Sequence, residues 1–158
     1  MNVLFVCTSN TCRSPVAELF AVEWLKRRLG LSRAQQEEKG IRIHSAAITD
    51  AFDREGSPAS AHAVSVMHQY NIDLSLHRSR LLTEQMCAEA DYIVCVSMGH
   101  RDKVRELYPN IRTMKATLCT FERDVPDPWH MDYETYTENV AMMEEVVRDF
   151  MEKTFTTE

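Results

Sequence analysis

Four apolar residues, Val3-Leu4-Phe5-Val6, run without a polar break into Cys7. A strand with one wet face alternates apolar and polar side chains, whereas an unbroken run belongs to a strand buried on both faces. Such strands sit inside parallel sheets covered by helices. The residues that follow agree. Ser14 suits a helix N-cap and Pro15 the first helical position, where its missing N–H costs nothing. Val16, Leu19, Phe20 and Trp24 recur at helical spacing, and Gly30 suits the stop. The chain thus begins as strand, loop and helix, with the loop spanning Cys7 to Ser14.

The alternation continues. Ile41 to His44 reads as a second strand ending at Ser45-Ala46-Ala47, after a polar stretch (33–39) that is a surface loop or a frayed helical turn. A loop with Gly56 and Pro58 leads into a helix through Ala61, Val64 and Met67. Tyr92 to Val96 predicts a third strand and Arg101 to Leu107 a helix that ends before Pro109. Ile111 to Met114 predicts a short fourth strand. Tyr136, Val140, Met143, Val147 and Phe150 give the last helix one apolar face. With 158 residues, 44% of them hydrophobic, the chain can bury a core without staples. The expectation is one α/β domain over residues 1–158, a parallel sheet between two helical layers, with the last few residues a frayed tail. Ligands of such sheets bind where strands end and helices begin, and the Cys7–Ser14 loop occupies the first of those junctions.

Several function classes are disfavoured. The net charge is −6, no lysine- or arginine-rich run is present, and Lys26-Arg27-Arg28 make only a short basic cluster at an expected helix C-terminus. That leaves no footprint for nucleic acid or for a membrane surface. The opening apolar run is too short for a signal-peptide core or a membrane span and has no basic segment before it, so a cytoplasmic protein is expected. Cys7, Cys12, Cys87, Cys95 and Cys119 are odd in number and irregularly spaced, with no Cys-x2-Cys pair. They form neither a disulfide framework nor a zinc pattern, and reduced thiols are expected.

The loop itself carries chemistry. A strand would deliver Cys7 at its C-terminal end, and the backbone amides of Thr8, Ser9, Asn10, Thr11, Cys12, Arg13 and Ser14 could converge on an anion at the positive end of the helix. That environment favours a thiolate. A curled loop would bring Arg13, six residues on, beside the sulfur, where its planar fork suits two oxygens of a phosphate. Thiolate, amide cradle and arginine together describe phosphoryl transfer to sulfur. A plain core cysteine is the bland alternative, but it would not explain the placement between a buried strand and a Ser-Pro helix start. The loop has no glycine, so Asn10 is the residue expected to carry any positive φ.

Val3-Leu4-Phe5-Val6-Cys7, followed by Asn10, Cys12-Arg13-Ser14-Pro15 and Ala17-Glu18, resembles the low-molecular-weight protein tyrosine phosphatases over most of the chain. The resemblance implies a four-stranded parallel sheet, a phosphate-binding loop after strand 1, no metal and no cofactor. Ser9 departs from the family's usual glycine and Thr11 from its usual isoleucine. Asp127-Pro128-Trp129 resembles the family's acid loop, which implies that Asp127 protonates the leaving group and then activates water. Pro128 restricts Asp127 to extended backbone, useful for projecting a side chain over a pocket. Read alone, Asp-Pro is an ordinary turn dipeptide, and Asp124 is the rival acid without a following proline. The resemblance further implies that Ser14 donates to the Cys7 thiolate, and that Asn10 pins the loop through Ser45 and His77. His44, His62, His68, His100 and His130 are expected to be solvated or structural. Trp129 and Phe52 are candidate walls for a substrate ring. Cys12 either forms a reversible disulfide with Cys7 or packs beneath the loop.

The implied partner is a phosphorylated protein, with phosphate or another oxyanion in the loop. Phosphotyrosine stands first, being the commoner activity of the family. Thr11 keeps phosphoarginine as the alternative: a hydroxyl there changes the size and polarity of the pocket, and family members acting on phosphoarginine resemble this chain within Cys-Thr-x-Asn-Thr-Cys-Arg-Ser. Arsenate reduction would need two further redox cysteines. Cys87, in or near a helix, and Cys95, inside a strand, are poorly placed for that relay. A silent phosphate-binding regulator would not need Cys7, Arg13 and Asp127 together.

Overall fold

The computed structural model describes residues 1–155; the expected frayed tail falls largely on residues 156–158, outside the described residues. Strand β1 (Asn2–Cys7) lies inside a four-stranded sheet of order β2-β1-β3-β4, flanked by β2 (Arg42–Ala47) and β3 (Tyr92–Cys95). Strand β4 (Thr117–Thr120) closes the far edge, and every pairing is parallel. The opening apolar run is explained by its two faces. Val3, Phe5 and Cys7 enter one core, while Leu4 and Val6 enter the other.

Three helices cover the first face: α1 (Arg13–Leu29), α3 (Ala61–His68) and α6 (Tyr133–Phe155). Val16, Phe20 and Leu25 of α1, Val66 and Met67 of α3, and Val140, Met143 and Met151 of α6 pack there around Phe5. The Phe5 ring stacks on Phe121 at 5.8 Å and meets Phe150 edge-on at 6.1 Å. Emptying that position with Phe5→Ala would cost about 3–5 kcal/mol. The second face is covered by α4 (Glu84–Glu89), α5 (Met98–Leu107) and a 3-10 helix, Pro109–Thr113, through Cys87, Val104 and Ile111. Gly30 ends α1 with a φ of 68°, its N–H donating to Lys26 O. This is the left-handed stop expected of glycine, and Lys26-Arg27-Arg28 lie at the negative end of the helix.

Three expectations need correction. Ile111 to Met114 is not a strand: Pro109 starts a 3-10 turn in which only Ile111 is buried, and Thr117–Thr120 pairs with β3 instead. A single apolar anchor beside a proline fits a turn better than a ladder. Residues 33–39 form α2 (Arg33–Glu38), stabilised by a capping box between Ser32 and Gln35. Gln36 of α2 is buried because its Nε2 donates to Val22 O and Leu31 O. Finally, α1 starts at Arg13 with Cys12 as its N-cap residue. The Ser14 hydroxyl does not cap the helix because it is engaged elsewhere.

Candidate active site

Residues 8–12 link the end of β1 to the start of α1, beside the strand ends of β2 and β3. Asn10 carries a φ of 58°, as anticipated for a loop lacking glycine. One left-handed residue between right-handed or extended neighbours curls successive amides into a concavity that suits an anion. Asn10 is fully buried and fully bonded. Its Nδ2 donates to Ser14 Oγ at 2.7 Å and to Ser45 Oγ at 2.8 Å, and its Oδ1 accepts from Arg80 N at 3.1 Å. Its carbonyl oxygen takes His77 Nε2 at 2.7 Å, and burial holds the His77 ring below its ordinary value, in the neutral form at pH 7.

Donor counting gives this network a direction. Ser45 Oγ donates to Glu18 Oε1 at 2.6 Å, so it accepts from Asn10. Ser14 Oγ accepts from Asn10 as well, and its hydroxyl lies 2.9 Å from Cys7 Sγ, with its own proton free to be donated to a thiolate there. Behind them, the buried Glu18 carboxylate is held by Arg33 at 2.8 Å, and Arg33 also donates to Ile43 O. A buried carboxylate needs such a partner.

Arg13 is almost wholly buried. Its Nη1 donates to Val125 O at 3.1 Å, and its Nη2 lies 3.4 Å from Thr8 Oγ1 and 3.5 Å from Asp127 Oδ2. Asp127 is half exposed, and its Oδ1 accepts from Trp129 N at 3.1 Å, forming a tight turn over Pro128. Asn139 of α6 steadies this segment by donating to Pro126 O at 2.6 Å. Asp124, the rival carboxylate, instead accepts from Met98 N at the start of α5.

Cys7, Thr8, Ser9, Thr11, Cys12, Arg13, Phe52, Asp127 and Trp129 all line one cleft of about 810 Å³. The Phe52 and Trp129 rings, both more than half exposed, stand 6.1 Å apart at its rim. Ser45, His77, Asn10 and Ser14 support the loop from behind. Burial, and next the neighbouring Cys7 sulfur, push the Cys12 thiol up, so Cys12 is a thiol at neutral pH.

Five further residues belong to this neighbourhood. Asp53 lines the cleft, and its Oδ2 accepts from Thr11 Oγ1 at 3.1 Å. His62 and His130 line it too: His62 packs 5.0 Å from Tyr136, and His130 lies 3.8 Å from Trp129. His100 Nε2 sits 2.8 Å from Thr8 Oγ1. Glu18 supports Ser45. His62, His100 and His130, expected to be solvated or structural, thus lie in or beside the cleft, whereas His44 lies away from it, bonded to Asn2 at 2.7 Å. An acidic residue inside the apolar face of α1 was the one legible signal for Glu18. Asp53 and the three histidines reach the site only through tertiary packing.

The chain matches the family model described as low molecular weight phosphotyrosine protein phosphatase over residues 2–158, and it belongs to that family. A protein-arginine-phosphatase of Geobacillus stearothermophilus is 30% identical over 156 residues, covering 96% of this chain and 95% of that protein. A low molecular weight protein tyrosine phosphatase of T. tengcongensis superposes with a TM-score of 0.80 at 33% identity, over 97% of this chain and 99% of that one. Vibrio vulnificus Wzb, solved in complex with benzylphosphonate, gives a TM-score of 0.80 at 25% identity over 96% and 97% of the two chains. The four-stranded parallel sheet expected from the sequence is the fold of these relatives. Among the described residues, no helix is long and apolar enough to cross a membrane.

Proposed function

We propose that this chain dephosphorylates phosphotyrosine in proteins through a cysteinyl-phosphate intermediate. The observation that carries the reading is the hydrogen-bonded chain from Asn10 through Ser14 to Cys7 Sγ, with Arg13 and Asp127 in the same cleft. The Ser14 hydroxyl is placed to donate to the thiolate that the reaction requires. In the first step the Cys7 thiolate attacks phosphorus, the P–O bond to the tyrosine oxygen breaks, and the Asp127 carboxyl gives its proton to the departing oxygen. In the second, Asp127 as carboxylate takes a proton from water, whose oxygen attacks the cysteinyl phosphate. Inorganic phosphate leaves, and both groups return to their starting forms. Arg13 and the loop amides stabilise the charge on the equatorial oxygens throughout. Phe52 and Trp129 would flank the phenyl ring, and the benzylphosphonate bound by the Vibrio relative is a ligand of that shape.

A second substrate is favoured by one observation. Thr11 holds the Asp53 carboxylate at the cleft, an arrangement that suits a guanidinium leaving group better than a phenol. Phosphoarginine therefore remains the competing substrate, in keeping with the Geobacillus relative. Purified protein assayed side by side on phosphotyrosyl and phosphoarginyl peptides separates the two. The proposal requires the larger kcat/KM on phosphotyrosine; a larger value on phosphoarginine would transfer the assignment. No release of phosphate from either would remove it.

A cytoplasmic location is part of the same proposal, in keeping with five free cysteines, which a reducing compartment preserves. For Cys12, its raised thiol pKa supports a packing role over a ready disulfide with Cys7.

A further inference from the structure

The outer side of the phosphate loop is tied to α5 by a chain of three side chains, Ser97, His100 and Thr8. Ser97 caps α5, its Oγ accepting from His100 N at 3.2 Å, and the same oxygen lies 2.5 Å from His100 Nδ1. With the ring assigned as the Nε2–H tautomer, the Ser97 hydroxyl gives its proton to Nδ1, a direction that its remaining lone pair permits but does not force. The ring proton then sits on Nε2, which donates to Thr8 Oγ1 at 2.8 Å. Thr8 Oγ1 also faces Arg13 Nη2 at 3.4 Å. Two N–H donors fill the acceptor capacity of the threonine oxygen, so its own proton must be donated elsewhere, and Thr8 lines the cleft.

We infer that His100 is a positioning residue: it turns Thr8 into an obligatory donor toward the oxyanion held over Cys7, and it anchors the oxygen that Arg13 leans on. The inference rests on the phosphatase reading above. Burial, and next the Arg13 guanidinium, push His100 down to about 4, so the ring stays neutral at pH 7 and the direction of the chain does not reverse. The helix that carries it is fixed twice at its start, by Ser97 and by Asp124 Oδ1, which accepts from Met98 N at 3.1 Å. Both ring nitrogens are committed. His100 is therefore no proton donor to the leaving group, and that role stays with Asp127.

The test compares His100→Ala, His100→Gln, Thr8→Val and the double variant His100→Ala/Thr8→Val on a phosphotyrosyl peptide, with thermal unfolding as a check on folding. His100→Ala and Thr8→Val should each lower kcat/KM about 10- to 100-fold, the scale of losing or misaligning one oxyanion donor. The double variant should lose no more than the worse single one, because both break the same chain. His100→Gln, whose carboxamide N–H can replace Nε2–H, should recover most of the loss. Multiplying losses in the double variant, or a folded His100→Gln as slow as His100→Ala, would overturn the inference. Should His100→Ala fail to fold, Thr8→Val and His100→Gln carry the comparison alone. Calorimetric titration with inorganic phosphate separates this inference from the activity assignment. Were the parent protein inactive on every phosphopeptide, the phosphatase reading would fall, yet Thr8→Val should still weaken phosphate binding about 5-fold. Unchanged phosphate binding in Thr8→Val would overturn the donor role.

Discussion

Asn10 Nδ2 donates to Ser14 Oγ at 2.7 Å, and the same oxygen lies 2.9 Å from Cys7 Sγ. The Ser14 proton stays free to be given to the sulfur. Asn10 is thereby linked to Cys7 without touching it. The same side chain reaches β2 through Ser45 and the segment after His77 through Arg80 N, so one buried carboxamide holds three parts of the fold against the loop. Replacing it by alanine strands the Ser14, Ser45 and Arg80 partners and places a Cβ-bearing residue less tolerant of positive φ at 58°. Asn10→Ala should cost about 2–4 kcal/mol of stability and slow turnover at least about 10-fold, read by urea unfolding and steady-state kinetics. A variant with wild-type unfolding and kinetics would contradict the network's role.

Asp127 is predicted to matter in proportion to how much the leaving group needs a proton. Asp127→Ala should slow a phosphotyrosyl peptide about 100- to 1,000-fold, and an aryl phosphate with a strongly acidic phenol far less. The measurement is kcat on both substrates. Equal losses would remove the proton-transfer role and leave only the ion pair with Arg13.

Substrate choice should turn on the Thr11–Asp53 pair. Thr11→Ile removes the hydroxyl that holds Asp53 and adds apolar surface, so the ratio of phosphotyrosine to phosphoarginine hydrolysis should rise about 10-fold or more. Asp53→Asn should move the ratio in the same direction through the lost charge alone. Unaltered ratios in both variants would show that neither residue meets the leaving group.

Stability should fall in mild acid for a reason outside the cleft. Burial, and next the Arg42 guanidinium, push His44 down to about 4 from 6.5. Between those values the unfolded chain binds a proton that the folded chain refuses. Stability is therefore present above pH 6.5 and is lost as pH falls toward 4, by about 3 kcal/mol for this one group. The urea midpoint should drop across that window, and His44→Gln should make the drop shallower without abolishing it, because His77 and His100 are held down in the folded chain as well. A midpoint unchanged between pH 7 and 4.5 would mean that His44 protonates freely when folded.

Much of the fold was legible because its strongest signals are local. Val3 to Val6 is buried on both faces, Gly30 ends a helix, and the last helix carries its apolar residues on one side. Ile111 misled because a β-branched residue beside Pro109 has the look of a short strand, while the true edge strand Thr117–Thr120 is half polar and carries no such run. In the site, Cys7 and Arg13 share a loop whose spacing is fixed in sequence, so they could be read together. His100 and Thr8 lie 92 positions apart, and Asp53 and Thr11 lie 42 apart. Nothing in the local sequence announces pairs that only the packing of α5 and the loop after β2 creates. The missing N-cap at Ser14 has a different origin: the helix starts one residue earlier, at Arg13, and the hydroxyl is engaged by Cys7 and Asn10 of the same loop.

The central claim is that phosphate passes through Cys7, and the most direct measurement is acid-quenched mass spectrometry of the protein mixed rapidly with a phosphotyrosyl peptide. One phosphoryl group on Cys7, formed and lost at rates that account for kcat, and absent from an inactive Cys7→Ala variant, is the predicted result. Turnover that persists in Cys7→Ala, or a phosphoryl group found on another residue of the native enzyme, would contradict it.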